Sequence, residues 1–334
     1  MFRPPWIQTS PADLFSLLEN KRFGGTFSLY KRLSILVFIL PACSLIFLAC
    51  ASKPRTTPEG PVSRELTDDA GRRVSLPFKV DRVISLAPNL TEIVFAVGAG
   101  DRLVGRTSYC DYPAAAKIVT EVGDTLHPSL ERIIALRPQV VLISTASQLE
   151  VFTQQLQNQN IAVFVTDPKD LEGVFRSIDQ IGRMLNQTEQ ATLLIQKLRE
   201  RTAAVEQAVK NRPPVRVFFQ LSGRPLYTAG HDAFATDLMR GAGATSVTAD
   251  VPGAWPKYSD ESALAARPEA IIVPTGGSMG SANEALAESL NQSPAVLQNR
   301  VYKINGDHLV RPGPRAVDGL EEIARALHPD AFKQ

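Results

Sequence analysis

Two stretches of this 334-residue chain read almost alike, 130 positions apart. Residues 129–144 read SLERIIALRPQVVLIS, and residues 259–274 read SDESALAARPEAIIVP. When Arg137-Pro138 is aligned with Arg267-Pro268, each copy shows a helical pattern, then Arg-Pro, then a β-branched run. Proline cannot continue a helix, so each copy predicts a short helix that ends before a strand. A unit written twice predicts two similar structural halves.

Short β-branched runs alternate with helical patterns over much of the chain. Before them, residues 66–77 carry an Asp-Ala-Gly turn between alternating runs, which predicts a small hairpin. Strands that alternate with helices predict parallel sheets covered by helices, which is an α/β fold. The candidate strands lie at residues 83–86, 140–144, 162–166, 215–220, 270–274 and 301–304.

One segment breaks this alternation. Residues 187–211 contain no Gly or Pro, and their apolar residues recur every three or four positions, which predicts one long amphipathic helix. Pro213-Pro214 cannot continue that helix. On both sides of it the order is strand, loop, helix and Gly-Ala-Gly, at residues 98–100 and 241–243.

We therefore predict two Rossmann-like α/β lobes that are joined by a single long rigid helix. The N-terminal lobe is expected at residues 64–186, the connecting helix at 187–213 and the C-terminal lobe at 214–334. Ligands of open α/β folds bind outside the ends of the strands, and in a two-lobed protein this places them in the cleft between the lobes.

The N-terminal segment predicts export. Lys31-Arg32 precede an uncharged apolar run at residues 33–50, and a polar stretch follows. A basic region, an apolar region and a small residue before the break describe an export signal. The run ends in Phe-Leu-Ala-Cys, which resembles a lipoprotein signal whose Cys50 is lipidated. Residues 1–50 are thus the expected export segment and 51–63 a flexible tether; an uncleaved signal anchor and a cleaved secretory signal are the alternatives.

Composition agrees with this extracytoplasmic location and excludes other classes. The net charge is only +2, whereas nucleic-acid binding usually shows as a strong basic patch. Of the three cysteines, only Cys110 falls in the folded part, so no intradomain disulfide is expected. The folded part is expected in the periplasm or at the cell surface.

The sequence gives little support to a common enzyme. There is no G-x-x-x-x-G-K-[ST] phosphate loop and no H-E-x-x-H zinc motif. The GGSMG stretch at residues 276–280 has the G-x-S-x-G spacing, but we interpret it as a structural loop. We therefore expect no enzyme activity, no catalytic residue, no cofactor and no metal. A metal-ion site built across the cleft from His127 and His308 remains the one alternative of this kind.

Aromatic residues concentrate in three loops. These loops read TSYCDYP at residues 107–113, RPLYTAG at 224–230 and GAWPKYS at 253–259. Aromatic rings in loops either cap a core or face a ligand, and facing an interlobe cleft they suit a large, flat, partly apolar ligand. The rings are Tyr109, Tyr112, Tyr227, Trp255 and Tyr258.

The sequence resembles the substrate-binding proteins of iron-siderophore, haem and cobalamin ABC importers, and within them the cobalamin branch. The resemblance covers residues 82–329 and rests on RVISLAPNLTEIVFAVGAGDRLVGRTSYCDYP, SLERIIALRPQVVLIS, AWPKYSDESALAARPEAIIV and GDHLVRPGPR. It implies the helical-backbone, class III periplasmic binding fold and a ligand held in the interlobe cleft. It also implies two partners, namely the permease dimer of an ABC transporter with its ATPase.

The resemblance also implies roles for particular residues. Tyr109, Tyr227 and Trp255 would stack on the ligand, Asp307 and Arg311 would contact its polar groups, and Asn89 would lie at the cleft edge. Glu131 and Glu261, which align in the two repeats, would each pair with arginines on the permease. Glutamates near a helix start are also stabilised by the helix dipole alone.

The sequence departs from the cobalamin branch at one place. Thr125, Leu126 and His127 stand where that branch has a second tryptophan, so one stacking wall is missing or is supplied by Leu126. The expected function is an extracytoplasmic solute-binding lipoprotein that captures a corrinoid, cobalamin foremost, and delivers it to the permease. Haem, a ferric siderophore or another iron chelate is the alternative ligand, and a metal ion is a weaker one.

Overall fold

The computed structural model describes residues 63–144, 150–277 and 285–333. Within them, an antiparallel hairpin of β1 (Ser63–Thr67) and β2 (Arg73–Pro77) comes first. The carboxylate of Asp68 closes its turn by accepting hydrogen bonds from the backbone N–H of Ala70 and Arg72, at 3.1 and 2.9 Å. The predicted hairpin is confirmed, with Ser63, assigned to the tether from sequence, as the first residue of β1. The expected export segment and Cys50 lie outside the described residues.

The first half of the chain forms a parallel sheet in the order β4-β3-β5-β6. The sequence did not predict β4, because its LVGR sequence includes Gly105. A side chain at Gly105 would come within 2.9 Å of Ile84 and 3.0 Å of Leu136, so the glycine allows close packing at the price of a weak strand signal. The strands are β3 Val83–Ser85, β4 Leu103–Arg106, β5 Val140–Ser144 and β6 Ala162–Thr166, and the helices are α1 Pro88–Ala96, α2 Leu130–Ala135, α3 Glu150–Asn158 and α4 Leu171–Met184.

The second half repeats this topology. Parallel strands lie in the order β9-β7-β10-β11, and a short antiparallel strand, β8, pairs with the end of β7. Matching β9 to β4, β7 to β3, β10 to β5 and β11 to β6 gives the same strand order in both sheets. The strands are β7 Val215–Gly223, β8 Leu226–Thr228, β9 Ala244–Ser246, β10 Ala270–Thr275 and β11 Val301–Asn305, and the helices are α6 Phe234–Gly241, α7 Asp260–Ala265, α8 Pro294–Leu297, α9 Gly306–Val310 and α10 Ala316–Leu327.

The two copies of the repeated phrase fold into the same unit. Helices α2 and α7 each begin after a serine whose Oγ accepts a backbone N–H: Ser129 from Arg132 at 3.4 Å, and Ser259 from Ser262 at 3.0 Å. Such an N-cap satisfies a donor that the helix itself cannot use. The strand that follows each helix lies in the same position of its sheet.

The C-terminal ends of α2 and α7 also match. Arg137 and Arg267 take the left-handed conformation, with φ of 45° and 46°, so the backbone leaves each helix at the arginine, one residue before the proline. A second arginine then covers the exposed carbonyls at each end. Arg82 Nε donates to Leu136 O at 3.1 Å, and Arg216 Nη2 donates to Ala266 O at 2.7 Å.

The Gly-Ala-Gly triplets, by contrast, are not equivalent. Gly98 follows α1 with φ of 82°, and Gly243 follows α6 with φ of 76°. The first glycine of one triplet and the third of the other therefore take the left-handed position that ends a helix. The structurally equivalent glycines are therefore two positions apart when the two triplets are aligned by sequence.

The long helix predicted between the halves is α5, Thr188–Val209. Its 22 residues span about 33 Å at 1.5 Å per residue. Arg199 pairs with Glu172 on α4, and Arg201 pairs with Asp318 and Glu321 on α10, at 2.7 and 2.8 Å. One helix thus contacts both halves, and its buried stripe belongs to a hydrophobic core that is continuous through them.

None of the helices in residues 63–144, 150–277 and 285–333 combines the length and the apolar character that crossing a membrane requires.

Candidate ligand-binding cleft

A cluster of ion pairs joins the two halves. Glu92, on α1, accepts two hydrogen bonds from Arg315, just before α10: Nε to Oε2 at 2.9 Å and Nη2 to Oε1 at 2.6 Å. Arg311 Nη1 lies 3.4 Å from Glu92 Oε1 and 2.8 Å from Asp111 Oδ1. Asp307 Oδ1, on α9, lies 3.0 Å from Arg311 Nε. We call these five residues the interlobe ion cluster.

Three residues of the interlobe ion cluster are almost completely buried. Glu92 is 3% exposed, and Asp307 and Arg311 are each 5% exposed. Removing one partner of a buried ion pair leaves the other charge buried without compensation, which is costly. The cluster therefore favours one arrangement of the halves.

The pKa values of the cluster follow from the same contacts. Burial by itself would raise the pKa of Asp111, but the hydrogen bond and charge of Arg311, together with the charge of Arg315, hold that pKa below its ordinary value. Burial would lower the pKa of Arg315, yet Glu92, through its hydrogen bond and its charge, together with Asp307, raises it. Both groups are thus held in their charged forms.

The loop after β4 carries two tyrosines and is held by the opposite half. We call residues 107–113 the tyrosine loop. Arg311 Nη2 donates to the backbone carbonyl of Tyr109 at 3.4 Å, and the guanidinium of Arg315 lies over the ring of Tyr112, 4.0 Å from its centroid. The side chains of Tyr109 and Tyr112 nevertheless remain 48% and 47% exposed. The loop is fixed while its rings stay accessible.

The second half supplies its own aromatic pair of candidates. Tyr227 lies in β8 and Trp255 in the loop before α7, and both are partly buried. The Trp255 ring packs against Phe219 of β7, with centroids 6.0 Å apart and planes tilted by 42°. Backbone hydrogen bonds from Thr228 to Pro256 and from Gly230 to Ala254, at 3.2 and 3.0 Å, join the two segments.

Asn89 lies at the junction of the halves and is buried. Its Nδ2 donates to the carbonyl of Pro312 at 3.2 Å, and Gly313 packs against its backbone and Cβ. The structure therefore brings Asn89, Tyr109, Asp307 and Arg311 into one group, and Tyr227 and Trp255 into another.

Comparison with known proteins identifies this architecture. A family model described as "Periplasmic binding protein" matches residues 83–307, from the first residue of β3 into α9. The chain belongs to the periplasmic binding protein family. Its fold is the class III periplasmic binding fold, as the sequence predicted, and the family consists of non-enzymatic, extracytoplasmic transport components. The expectation that the chain is a binding protein and not an enzyme is confirmed.

Curated relatives and solved structures agree with this assignment. An uncharacterized ABC transporter substrate-binding lipoprotein, YvrC of Bacillus subtilis, is 32% identical over 275 residues, covering 80% of this chain and 86% of the relative. The vitamin B12-binding protein of Photorhabdus laumondii is 29% identical, covering 74% and 88%. The crystal structure of the periplasmic vitamin B12 binding protein BtuF of Vibrio cholerae is 27% identical with a TM-score of 0.68, covering 77% of this chain and all of that one.

A haem-binding structure matches almost as well. The periplasmic heme-binding protein BhuT, solved in complex with two hemes, is 27% identical with a TM-score of 0.67. The match covers 75% of this chain and 99% of that one. Substrate-binding proteins of ABC transporters bind small ligands and act together with a membrane permease and its ATPase.

In this family member, Glu131 and Glu261 occupy equivalent places. Each lies in the first turn of its helix, α2 or α7, and each side chain is exposed. Glu131 is followed by the exposed Arg132, whereas Glu261 is preceded by Asp260, which accepts a hydrogen bond from Ser289. The two halves thus each present one exposed glutamate at the start of an equivalent helix.

His127 and His308, the two histidines considered for a metal-ion site, contact carboxylates near them in the sequence. His127 lies 3.3 Å from Asp124 and is exposed, and His308 Nδ1 lies 2.9 Å from Glu322. Within the part of the chain that the structure describes, no three His, Cys, Asp or Glu side chains form a group that could hold a metal ion. Cys110 is buried, with its Sγ 3.2 Å from the Thr107 hydroxyl.

Sequence reasoning missed Glu92, Asp111 and Arg315. All three stand in the quoted family stretches, in NLTEIV, SYCDYP and GPR, but nothing in their spacing signals that they meet. Glu92 and Arg315 are 223 positions apart. Glu92 alone carries a sequence signal, because it is a charged residue in an otherwise apolar helical stretch and such a residue, if buried, needs a partner.

Proposed function

We propose that this chain is an extracytoplasmic solute-binding lipoprotein that captures a corrinoid, with cobalamin foremost, in the interlobe cleft and delivers it to an ABC importer. The observation that carries the proposal is the tyrosine loop. Tyr109 keeps its side chain 48% exposed, while Arg311 of the other half fixes its backbone. An accessible ring on a fixed backbone at the junction of two lobes suits a flat ligand that enters between them.

The second half would supply the opposing surface. Trp255 is backed by Phe219, and Tyr227 lies on the adjoining strand. A macrocycle that stacks between the two groups buries a large apolar area without needing a metal ligand from the protein. The names of the vitamin B12-binding relatives support this ligand class.

The polar candidates would act at the edge of the ligand. Asp307 and Arg311 already pair with one another and with the first half, so their proposed contact with ligand side chains would use the hydrogen-bonding capacity that the ion pairs leave. Asn89 would act through Pro312, whose carbonyl it holds.

Haem is the second candidate ligand. The similarity to BhuT in complex with two hemes supports it, and so do the exposed side chains of Tyr109 and Tyr112, because a tyrosine oxygen can ligate haem iron. A bound haem would then report tyrosine ligation in its absorption spectrum, whereas a corrinoid would keep its own bands.

Delivery requires a docking surface and, in the proposed lipoprotein, an anchor. Glu131 and Glu261, one in each half, would pair with arginines on the two subunits of the permease and so set the orientation of docking. Cys50 would carry the lipid, in keeping with the lipoprotein among the relatives.

The deciding experiment is an absorption spectrum of the purified protein after incubation and desalting. The panel consists of cyanocobalamin, cobinamide, haemin and a ferric siderophore. We expect the corrinoid bands to stay with the protein. Retention of haemin alone would replace the corrinoid by the second candidate, and loss of all four ligands would refute the proposed ligand class.

A further inference from the structure

The tyrosine loop holds a second ring to which the proposed corrinoid capture assigns no role. Tyr112 stands three residues after Tyr109 and is exposed to the same extent, 47% against 48%. One side of its ring is occupied by the guanidinium of Arg315, 4.0 Å from the ring centroid. Arg315 belongs to the other half of the protein, so Tyr112 lies where the two halves meet.

This contact is closer than the other arginine–ring contacts between described residues. Those distances are 4.9 Å for Arg325 and Phe332, 5.3 Å for Arg199 and Phe175, and 5.7 Å for Arg64 and Phe78. A cation directly over a ring is attracted by the negative face of the aromatic system.

Arg315 itself cannot move freely. Glu92 holds it through two hydrogen bonds, at 2.9 and 2.6 Å, and Asp307 lies 3.8 Å away. Glu92 is in turn buried and also faces Arg311. The series Glu92, Arg315, Tyr112 therefore runs from a buried carboxylate through a fixed guanidinium to a half-exposed ring.

We propose that Tyr112 is a second stacking ring for the ligand and that Arg315 is its positioning residue. This inference rests on the proposed capture of a flat macrocycle. Arg315 covers one face of the ring and fixes its orientation, so the accessible part meets the ligand with little loss of conformational freedom. The cation also draws electron density from the ring, which favours stacking on an electron-rich macrocycle.

A purely structural role for the same contact makes a different prediction. If Tyr112 only fastens the two halves, its removal lowers stability and leaves the affinity of the folded protein unchanged. If Tyr112 stacks on the ligand, affinity falls even under conditions where the variant is fully folded. Stability and affinity must therefore be measured on the same variants.

The test compares Tyr112→Phe, Tyr112→Leu and the control Phe78→Leu in the full chain. Phe78 is a 54% exposed ring beneath Arg64 at 5.7 Å, next to the N-terminal hairpin, so the control also removes an arginine–ring pair. Affinity for cyanocobalamin, cobinamide and haemin is measured by equilibrium dialysis, with thermal unfolding of each variant. For the ligand that the wild type retains, we expect Tyr112→Leu to weaken binding by about tenfold, the size of a lost stacking pair.

Tyr112→Phe, which keeps the ring, and Phe78→Leu should bind a corrinoid as the wild type does. Arg315→Lys gives the positioning test: lysine keeps the charge but loses the planar contact, so affinity should fall while Tyr112 is still present. Unchanged affinity of folded Tyr112→Leu, with a wild type that binds, overturns this inference alone. A wild type that binds none of the three ligands overturns the proposed function and this inference with it.

Discussion

Arg315 Nη2 lies 2.6 Å from Glu92 Oε1, and this pair joins residues 223 positions apart across the two halves of the protein. Arg311 adds a second guanidinium within 3.4 Å of the same carboxylate. A single buried glutamate on α1 thus faces two arginines that lie between α9 and α10. Glu92 therefore joins the two halves through contacts that the long helix does not supply.

Glu92→Gln should destabilise the protein strongly. The amide keeps the size of the side chain but leaves both arginines short of a buried counter-charge, so we expect a loss of about 3–5 kcal/mol in the free energy of unfolding. Urea unfolding measures it. Glu121→Gln is the matched control, because Glu121 pairs with Arg106 at 3.6 Å with its side chain 48% exposed, and it should cost less than about 1 kcal/mol. Equal losses in the two variants would contradict the role of the cluster.

Asp111→Asn should alter the acid stability. Arg311 and Arg315 hold the pKa of Asp111 below its ordinary value of 3.8. A carboxyl whose pKa falls on folding stabilises the protein above its unfolded pKa, and that contribution is lost as the pH falls through the lower, folded value. The stability difference between wild type and variant should therefore shrink as thermal unfolding is followed from about pH 6 to below about pH 3. A difference independent of pH would show that the charge of Asp111 is not involved.

Trp255→Ala should reduce the affinity for the captured ligand by about 1–3 kcal/mol if the ring is a buried anchor. Trp255→Phe should keep most of the affinity, because a ring of smaller area still packs against Phe219. Isothermal calorimetry measures both variants. Unchanged binding by folded Trp255→Ala would remove this residue from the site.

The double variant Glu131→Ala/Glu261→Ala should bind ligand normally and lose transport. Both side chains are exposed at the starts of their helices, so their removal should leave the fold intact. Glu189→Ala, an exposed glutamate in the first turn of α5, is the control and should transport normally. Ligand uptake into vesicles that carry the permease distinguishes the two. Normal uptake by the double variant would show that the repeated glutamates have no role in docking to the permease.

Arg267→Val should destabilise the end of α7. Arg267 has φ of 46°, a conformation that costs an L-residue about 1–2 kcal/mol and a β-branched residue more. Arg267→Gly should be neutral or stabilising, since glycine adopts this conformation without penalty. Chemical unfolding of the two variants tests the argument, which would fail if valine were tolerated as well as glycine.

The sequence by itself determined the repeated unit, the long helix and the α/β order of elements. These depend on interactions between near neighbours: a serine accepts the N–H three residues on, a proline stops a helix, and apolar residues at helical spacing share one face. The sequence did not predict the short strands β4, β8 and β9. Each has three or four residues, and β4 also contains a glycine. The aromatic loops were also visible, because rings are uncommon in polar turns.

Only the tertiary structure decided which charges meet. Glu92 and Arg315 carry no mark of one another in the sequence, because their pairing depends on how α1 and the start of α10 are placed by two different sheets and the helix between them. The same placement sets Tyr112 on Arg315 and leaves Glu131 and Glu261 exposed. Interactions between near neighbours thus specify the elements of each half, whereas the junction between the halves forms only when long-range packing brings its residues together.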